Sequence, residues 1–320
     1  MAEKELTGRL YDIQGFSVQD GPGVRTTAFL KGCPLHCPWC HSPESQAFYP
    51  QLSWLSMRCT GTESCESRCL KACKKGALEL GGTRPDALTG NQLQMVHVKR
   101  DLCDNCGDCA EVCYPTALYI CGEDYTVDRL VKRLLQDKRF YDKSGGGVTI
   151  SGGEALSQAD FVAAVMKELK AAGVHCALDT TGFAPWSEVE KVLPYVDLYL
   201  LDLKHMDSKK HQQVTGVPTE IIHENAKKIA AAGGHFQIRI PVIPQFNDDV
   251  LNIRATAEFC KNELGDSVDM VQLLPYHNLG VTKYMRISDG PVMEATPPTD
   301  EYMNYLKGVM EEYGLYVTIH

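Results

Sequence analysis

The chain has 320 residues, 44% apolar and 23% charged, which gives room for one large globular domain and a smaller one. A formal net charge of −9 with no basic stripe argues against a nucleic-acid partner, and no run is long and apolar enough to span a bilayer. Fourteen cysteines, behind an opening MAEKELTGRL that has neither a signal-peptide core nor an Arg-rich transit pattern, lead us to expect a reducing, cytoplasmic setting with cysteines used for metal or cofactor ligation.

The first predicted strand, TTAFLKG (26–32), runs straight into KGCPLHCPWCHSPES, which places Cys33, Cys37 and Cys40 within eight residues. A structural zinc site is closed by four ligands, and an ordinary cubane iron–sulfur cluster takes four cysteines. Three thiolates leave a coordination position open, and open positions are where metal sites do chemistry.

Residues 48–123 follow, rich in Cys, Gly and short loops, and read as an insertion. CDNCGDCAEVCYPTAL carries Cys103, Cys106, Cys109 and Cys113 at spacings close to the bacterial ferredoxin run C-x2-C-x2-C-x3-C-P, with Tyr114 interposed before Pro115. CTGTESCESRCLKACKKGAL carries Cys59, Cys65, Cys69 and Cys73 more loosely but shares the ending, KKGAL against YPTAL. In two-cluster ferredoxins the fourth cysteine of each run ligates the other cluster. One 4Fe–4S cluster would then take Cys59, Cys65, Cys69 and Cys113, and the other Cys103, Cys106, Cys109 and Cys73. Zinc knuckles fit these tetrads poorly, because zinc pairs are C-x2-C with a longer spacer and often histidine. The isolated Cys121, Cys176 and Cys260 read as buried small hydrophobes.

From residue 124 onward, apolar strands alternate with helical patterns: GVTISGG (147–153), HCALDTTG (175–182), VDLYLLDLK (196–204), FQIRIPVIP (236–244) and MVQLLPY (270–276). With the first strand that makes six, as in a parallel sheet covered by helices. The expected fold is α/β: a partial (βα)6 TIM-like barrel from 1–47 and 124–320, interrupted by a ferredoxin-like insertion at 48–123.

With Trp39 just before its last cysteine, the CxxxCxxC run resembles the signature of the radical S-adenosylmethionine (AdoMet) superfamily. The ordered set DGPGVRT (20–26), SGGE (151–154), DTTG (179–182), LLDLK (200–204) and LLPYHNLG (273–280) further resembles the glycyl radical enzyme activating enzymes, across essentially the whole chain outside the insertion. The insertion resembles the subgroup with a ferredoxin-like domain, which the pyruvate formate-lyase activator lacks. Two departures are DTTG, where that activator has Asn in place of Thr181, and CHSPES after the last cysteine.

The resemblance implies three 4Fe–4S clusters and AdoMet as cofactors. Cys33, Cys37 and Cys40 would hold the cluster whose fourth iron binds AdoMet. Ser151, Gly152, Gly153 and Glu154 would meet the methionine amino group, with Trp39 and Arg239 helping to position ligand. Asp179, Thr180 and Asp202 would hold a sodium or potassium ion beside the AdoMet carboxylate. Lys204 would reach the ribose, His277 the nucleoside, and Asp20 the partner's glycine-bearing loop. One electron into the sulfonium gives methionine and a 5′-deoxyadenosyl radical, which takes hydrogen from a backbone glycine of a partner glycyl radical enzyme. A flavodoxin or ferredoxin would supply electrons to a monomeric enzyme in an anaerobic host. The stretch WCHSPESQ and the length lean toward a carbon–sulfur lyase such as isethionate sulfite-lyase as partner, with decarboxylases, dehydratases and hydrocarbon-adding synthases as alternatives. A radical AdoMet enzyme acting on a small molecule would share the cluster and cation residues but not DGPGVRT with LLPYHNLG. A simple electron carrier would need neither the three-cysteine run nor the long βα region.

Overall fold

The structure, a computed structural model, describes residues 5–290 and 292–320, so the first four residues of the expected opening segment lie outside it. In chain order the strands are β1 (Thr7–Ser17), β2 (Arg25–Leu30), β3 (Gln51–Trp54), β4 (Leu78–Pro85), β5 (Gln92–Val98), β6 (Leu118–Cys121) and β7 (Glu123–Thr126). They continue with β8 (Gly147–Gly152), β9 (His175–Thr180), β10 (Leu198–Asp202), β11 (Phe236–Val242), β12 (Val268–Pro275) and β13 (Val317–Ile319). Among the described residues, nine of these form one sheet in the order β13-β12-β11-β10-β9-β8-β2-β1-β7.

All six expected strands are present, and β13 extends the parallel run beyond β12. Two further strands were not expected: β1 pairs antiparallel with β2 on one side and β7 on the other. Most central strands alternate, whereas β10 is apolar on both faces from Leu198 to Leu201 and turns polar only at Asp202. Val148, Ile150, Leu178, Leu201, Ile238 and Leu273 enter the core under the helices. Their neighbours Thr149, Ser151, Asp179, Arg239 and Gln272 take the other face, as the two-residue side-chain period requires. Helices such as Ala159–Ala171 and Asp300–Glu311 cover the apolar face with Val162, Val165, Leu169, Leu306 and Met310.

The chain between β2 and β8 includes two small antiparallel sheets, β3–β6 and β4–β5. They share an apolar cluster of their own, Leu52, Leu78, Val96, Val98 and Leu118 with Cys69 and Cys109. Cysteines thus occupy positions where a domain of this size would otherwise place aliphatic side chains.

The start of β2 is fixed by close backbone contact with the glycine run before β8. A Cβ on Gly146 would lie 1.9 Å from the Val24 carbonyl oxygen, and one on Gly23 would lie 2.5 Å from Gly146 N. Arg25, fully buried, binds across this junction: Nε donates to Thr149 Oγ1 at 2.7 Å and Nη1 to the Pro22 carbonyl at 3.1 Å. Gly146→Ala is therefore expected to lower unfolding free energy by about 1–3 kcal/mol, the usual cost of overpacking. A urea midpoint equal to that of the unsubstituted chain would refute the contact.

Candidate active site at the strand ends

The C-terminal ends of β8, β9, β10, β11 and β12 and the loop after β2 converge on a cavity of about 290 Å³. For five strand ends to meet one cavity the sheet must curve around it, and this end of parallel βα strands is where such folds place their chemistry. Cys33, Cys37, Trp39 and Cys40 of the loop after β2 line it together with Ser151, Gly152, Gly153, Asp179, Thr180, Asp202, Lys204 and Arg239 at the strand ends, and Asp20.

The cysteine loop is held mainly through its backbone. Gly32 N donates to Ser45 O at 2.6 Å, Cys33 N to Gln46 O at 3.0 Å, and His36 N to Thr215 O at 2.8 Å. The Tyr284 hydroxyl, from the helix Val281–Ile287, donates to the Cys37 carbonyl at 2.9 Å. All three thiols are free. Burial pushes each upward, Cys40 to about 12, while Lys204 pulls Cys37 back down. Such thiols are protonated without a positive charge to bind, so loading a metal group here releases protons.

Thr215 belongs to a buried knot behind this loop. His211 Nδ1 donates to Val217 O at 2.6 Å, and Thr215 Oγ1 donates to His211 O at 2.8 Å. Burial lowers the His211 imidazole from 6.5 to about 4. A folded value below the unfolded one means the neutral ring stabilises the fold fully above pH 6.5. That stability is lost as pH falls toward 4, up to roughly 3 kcal/mol for this group. Urea titrations should show this slope in the unsubstituted chain and a reduced one in His211→Gln; equal slopes would contradict the assignment.

Across the cavity, charges balance within the chain. Lys204 Nζ lies 2.5 Å from Asp202 Oδ2, and Arg239 Nη1 lies 3.2 Å from Asp179 Oδ2. Asp202 and Arg239 are register partners on adjacent strands. Burial raises the Asp179 carboxyl to about 6, with Arg239 pulling down and Asp202 pushing up. Burial alone would lower Lys204, but Asp202 and Cys37 hold it above its usual value. Among the described residues, no three His, Cys, Asp or Glu side chains converge tightly enough to hold a single metal ion. Thr180, expected beside a cation, gives its hydroxyl to Glu154 at 2.6 Å.

Two expected ligand residues sit elsewhere. Glu154 is fully buried and does not line the cavity. Its carboxylate accepts from Leu156 N at 3.0 Å, Thr180 Oγ1 at 2.6 Å, Thr181 N at 2.8 Å and Thr181 Oγ1 at 2.5 Å. It braces the β9 corner from behind. His277 lies outside the cavity and stacks on His41 at 4.0 Å; His41, which does line it, was not among the expected residues. The SGGE glycines answer a local need as well: a Cβ on Gly152 would lie 2.1 Å from Leu30 O, and one on Gly153 2.3 Å from Gly32 O. Asp20 is anchored by Ser17 Oγ at 2.6 Å and Thr27 Oγ1 at 2.8 Å, and Trp39 packs on Phe246 at 4.8 Å between ring centres.

In the insertion, Cys73 lines one small cavity with Cys103, Cys106 and Cys109. Cys59, Cys65, Cys69 and Cys113 lie within electrostatic range of one another, and burial followed by these neighbours pushes Cys69 up to about 11. Each shared ending gives its cysteine a backbone donor, though from different positions: Ala77 N, four residues on, donates to Cys73 Sγ at 3.2 Å, and Leu118 N, five residues on, to Cys113 Sγ at 3.3 Å.

A model of the Radical SAM superfamily matches residues 111–257, spanning β6 to β11. The parallel α/β sheet with its strand-end cavity is thus that of a radical AdoMet enzyme. The chain is 39% identical over 316 residues to the isethionate sulfite-lyase activating enzyme of Nitratidesulfovibrio vulgaris, covering 98% of each chain. It is 38% identical over 277 residues to the (2S)-3-sulfopropanediol dehydratase activating enzyme of Klebsiella oxytoca, covering 87% of this chain and 84% of that one. Against the indoleacetate decarboxylase activating enzyme of Tractidigestivibacter scatoligenes, identity is 37% over 315 residues, covering 97% of this chain and 96% of that one. The chain belongs to the glycyl radical enzyme activating enzymes. Among the described residues, no helix is long and apolar enough to cross a membrane.

Proposed function

We propose that the strand-end cavity is where this chain binds AdoMet and receives the glycine loop of its partner. The observation that carries this reading is the meeting of three free thiols with two carboxylate–cation pairs in one cavity. Soft thiolates suit iron, and paired charges of both signs suit the zwitterionic methionine end of a sulfonium. A 4Fe–4S cluster on Cys33, Cys37 and Cys40 would supply one electron to that sulfonium, yielding methionine and the 5′-deoxyadenosyl radical that takes a glycine hydrogen.

The chain's own residues then bind and orient. Arg239 and Lys204 offer donors to a carboxylate and a ribose, Ser151 to Gly153 line the amino-group side, and Trp39 walls the cluster loop. His41, with His277 stacked behind it, lines the cavity as a nucleoside contact. A sodium or potassium ion at Asp179, Thr180 and Asp202 would require Asp179 to exchange Arg239 for it, and Thr180 to share its hydroxyl with Glu154. Asp20 meets the incoming glycine loop, whose entry requires a conformational change in the partner.

The insertion acts as a ferredoxin-like domain with two further 4Fe–4S clusters, fed by flavodoxin or ferredoxin. Its support is the gathering of Cys73, Cys103, Cys106 and Cys109 on one small cavity and of Cys59, Cys65, Cys69 and Cys113 within electrostatic range of one another. The partner reading is isethionate sulfite-lyase, on the full-length likeness to its activating enzyme. The test is anaerobic incubation of loaded enzyme, AdoMet, reductant and isethionate sulfite-lyase, followed by electron paramagnetic resonance (EPR). A glycyl radical signal supports the assignment; its absence there and appearance with the dehydratase or a decarboxylase would redirect it.

A further inference from the structure

The two tetrads of the insertion are not equivalent in their relation to the cysteine loop. Arg100, three residues before Cys103, donates from Nη1 to Leu52 O and from Nη2 to Arg286 O, both at 2.6 Å. Leu52 N in turn donates to Asn105 Oδ1 at 2.8 Å, so the loop bearing Cys103 and Cys106 grips β3 from both sides of one residue. Arg286 lies in the last turn of the helix whose Tyr284 hydroxyl holds the Cys37 carbonyl, and Lys283 of that helix lies 3.2 Å from Glu44. Arg100 therefore links the Cys73, Cys103, Cys106 and Cys109 tetrad to the helix that covers the Cys37 loop.

The guanidinium also carries an unpartnered buried N–H at Nε. Burial lowers its pKa, and the groups acting against that are Asp289, Cys103 and Cys109. Asp289 lies 3.7 Å from His97. The ammonium of Lys75, nearer the tetrad's rim, is exposed and pairs with Asp104 at 3.4 Å, so solvent screens it. Arg84 stands similarly to the other tetrad: Nη2 donates to Cys59 O at 2.9 Å, and Nε is buried without a partner.

We infer that Arg100 is a positioning residue for the inner tetrad: it fixes that tetrad against the helix covering Cys37 and raises the reduction potential of the iron–sulfur group held there. The inference rests on the reading of the insertion as a two-cluster domain. A buried positive charge favours the reduced, more negative state, and net charge and burial are among the levers that set cluster potentials. Arg84 acts in the same way on the outer tetrad.

The test is an EPR-monitored redox titration of the loaded, full-length enzyme, with the inner signal identified by its loss in Cys103→Ser. Arg100→Met is expected to lower the inner midpoint by at least a tenfold change in the reduced-to-oxidised ratio, or about 59 mV for one electron. The outer midpoint should stay fixed, Arg100→Lys should restore most of the shift, and Arg84→Met should move the outer signal alone. If Arg100→Met does not fold, Arg100→Gln, which keeps amide donors near the Leu52 and Arg286 carbonyls but carries no charge, supplies the comparison: its inner midpoint should fall below that of Arg100→Lys, and equal midpoints would overturn the inference. A wild-type protein with iron for only one cluster would sink the two-cluster reading itself. Three clusters with midpoints unmoved by Arg100→Met, or inner midpoints moved equally by Arg84→Met, would overturn the inference.

Discussion

Replacing Cys37 by alanine is expected to abolish reductive cleavage of AdoMet while leaving a folded protein. Cys37 is buried on the cavity wall and its carbonyl is held by Tyr284, an interaction that alanine keeps. Removing one sulfur leaves a small defect, so the fold persists; removing one of the three proposed iron ligands would leave the open-position site two-thirds complete. Loss of outer-shell partners alone costs 10–100-fold in metal sites, so cleavage should fall by more than about 100-fold. Iron content should drop by the share of one cluster, with the iron of the two clusters proposed for the insertion retained. The check is 5′-deoxyadenosine yield under strong reductant alongside iron analysis. Cleavage at wild-type rate would remove Cys37 from the site.

Substitution of Glu154 by alanine is expected to unfold the barrel rather than to weaken AdoMet binding selectively. Its fully buried carboxylate serves four donors from Leu156, Thr180 and Thr181, and alanine would leave all four without an acceptor. Unsatisfied buried donors cost about 1–3 kcal/mol each, and breaking a buried charged network costs roughly 3–5 kcal/mol. Glu154→Gln keeps the volume but turns an N–H pair toward existing donors, so it should lose a substantial part of the same stability. Chemical denaturation of the protein without AdoMet decides between the roles. A Glu154→Gln chain of unchanged stability but weakened AdoMet binding would return Glu154 to direct ligand contact.

Legibility of the chain followed burial. β2 and β8 to β12 announced themselves because apolar runs end at Gly, Pro or Asp near the cavity, as in GVTISGG and FQIRIPVIP. β1 and β7 did not, since TGRLYDIQGFS and EDYT lie at the sheet margin and expose much of their polar alternation. β13, three residues long, gives too short a pattern to read. The shared endings KKGAL and YPTAL mark the two cysteine runs as a repeat, and the ferredoxin rule that the fourth cysteine of one run joins the other puts Cys73 with Cys103, Cys106 and Cys109, with which it lines one cavity. What sequence could not convey is which side of a strand end a side chain takes. Ser151 lines the cavity, whereas Glu154, three residues on, turns behind it; His277 stands behind His41. Tyr284, whose hydroxyl holds the Cys37 carbonyl, acts through a contact spanning 247 residues, which no local pattern can announce.

The proposed function stands or falls with abstraction of a glycine hydrogen by a radical made at this cavity. The direct measurement is anaerobic turnover of loaded enzyme, AdoMet and reductant with a partner glycyl radical enzyme deuterated at its glycine Cα positions, followed by mass analysis of 5′-deoxyadenosine. Deuterium is expected in the 5′-deoxyadenosine, formed together with a glycyl radical on the partner. Unlabelled 5′-deoxyadenosine accompanying a full glycyl radical signal would contradict it.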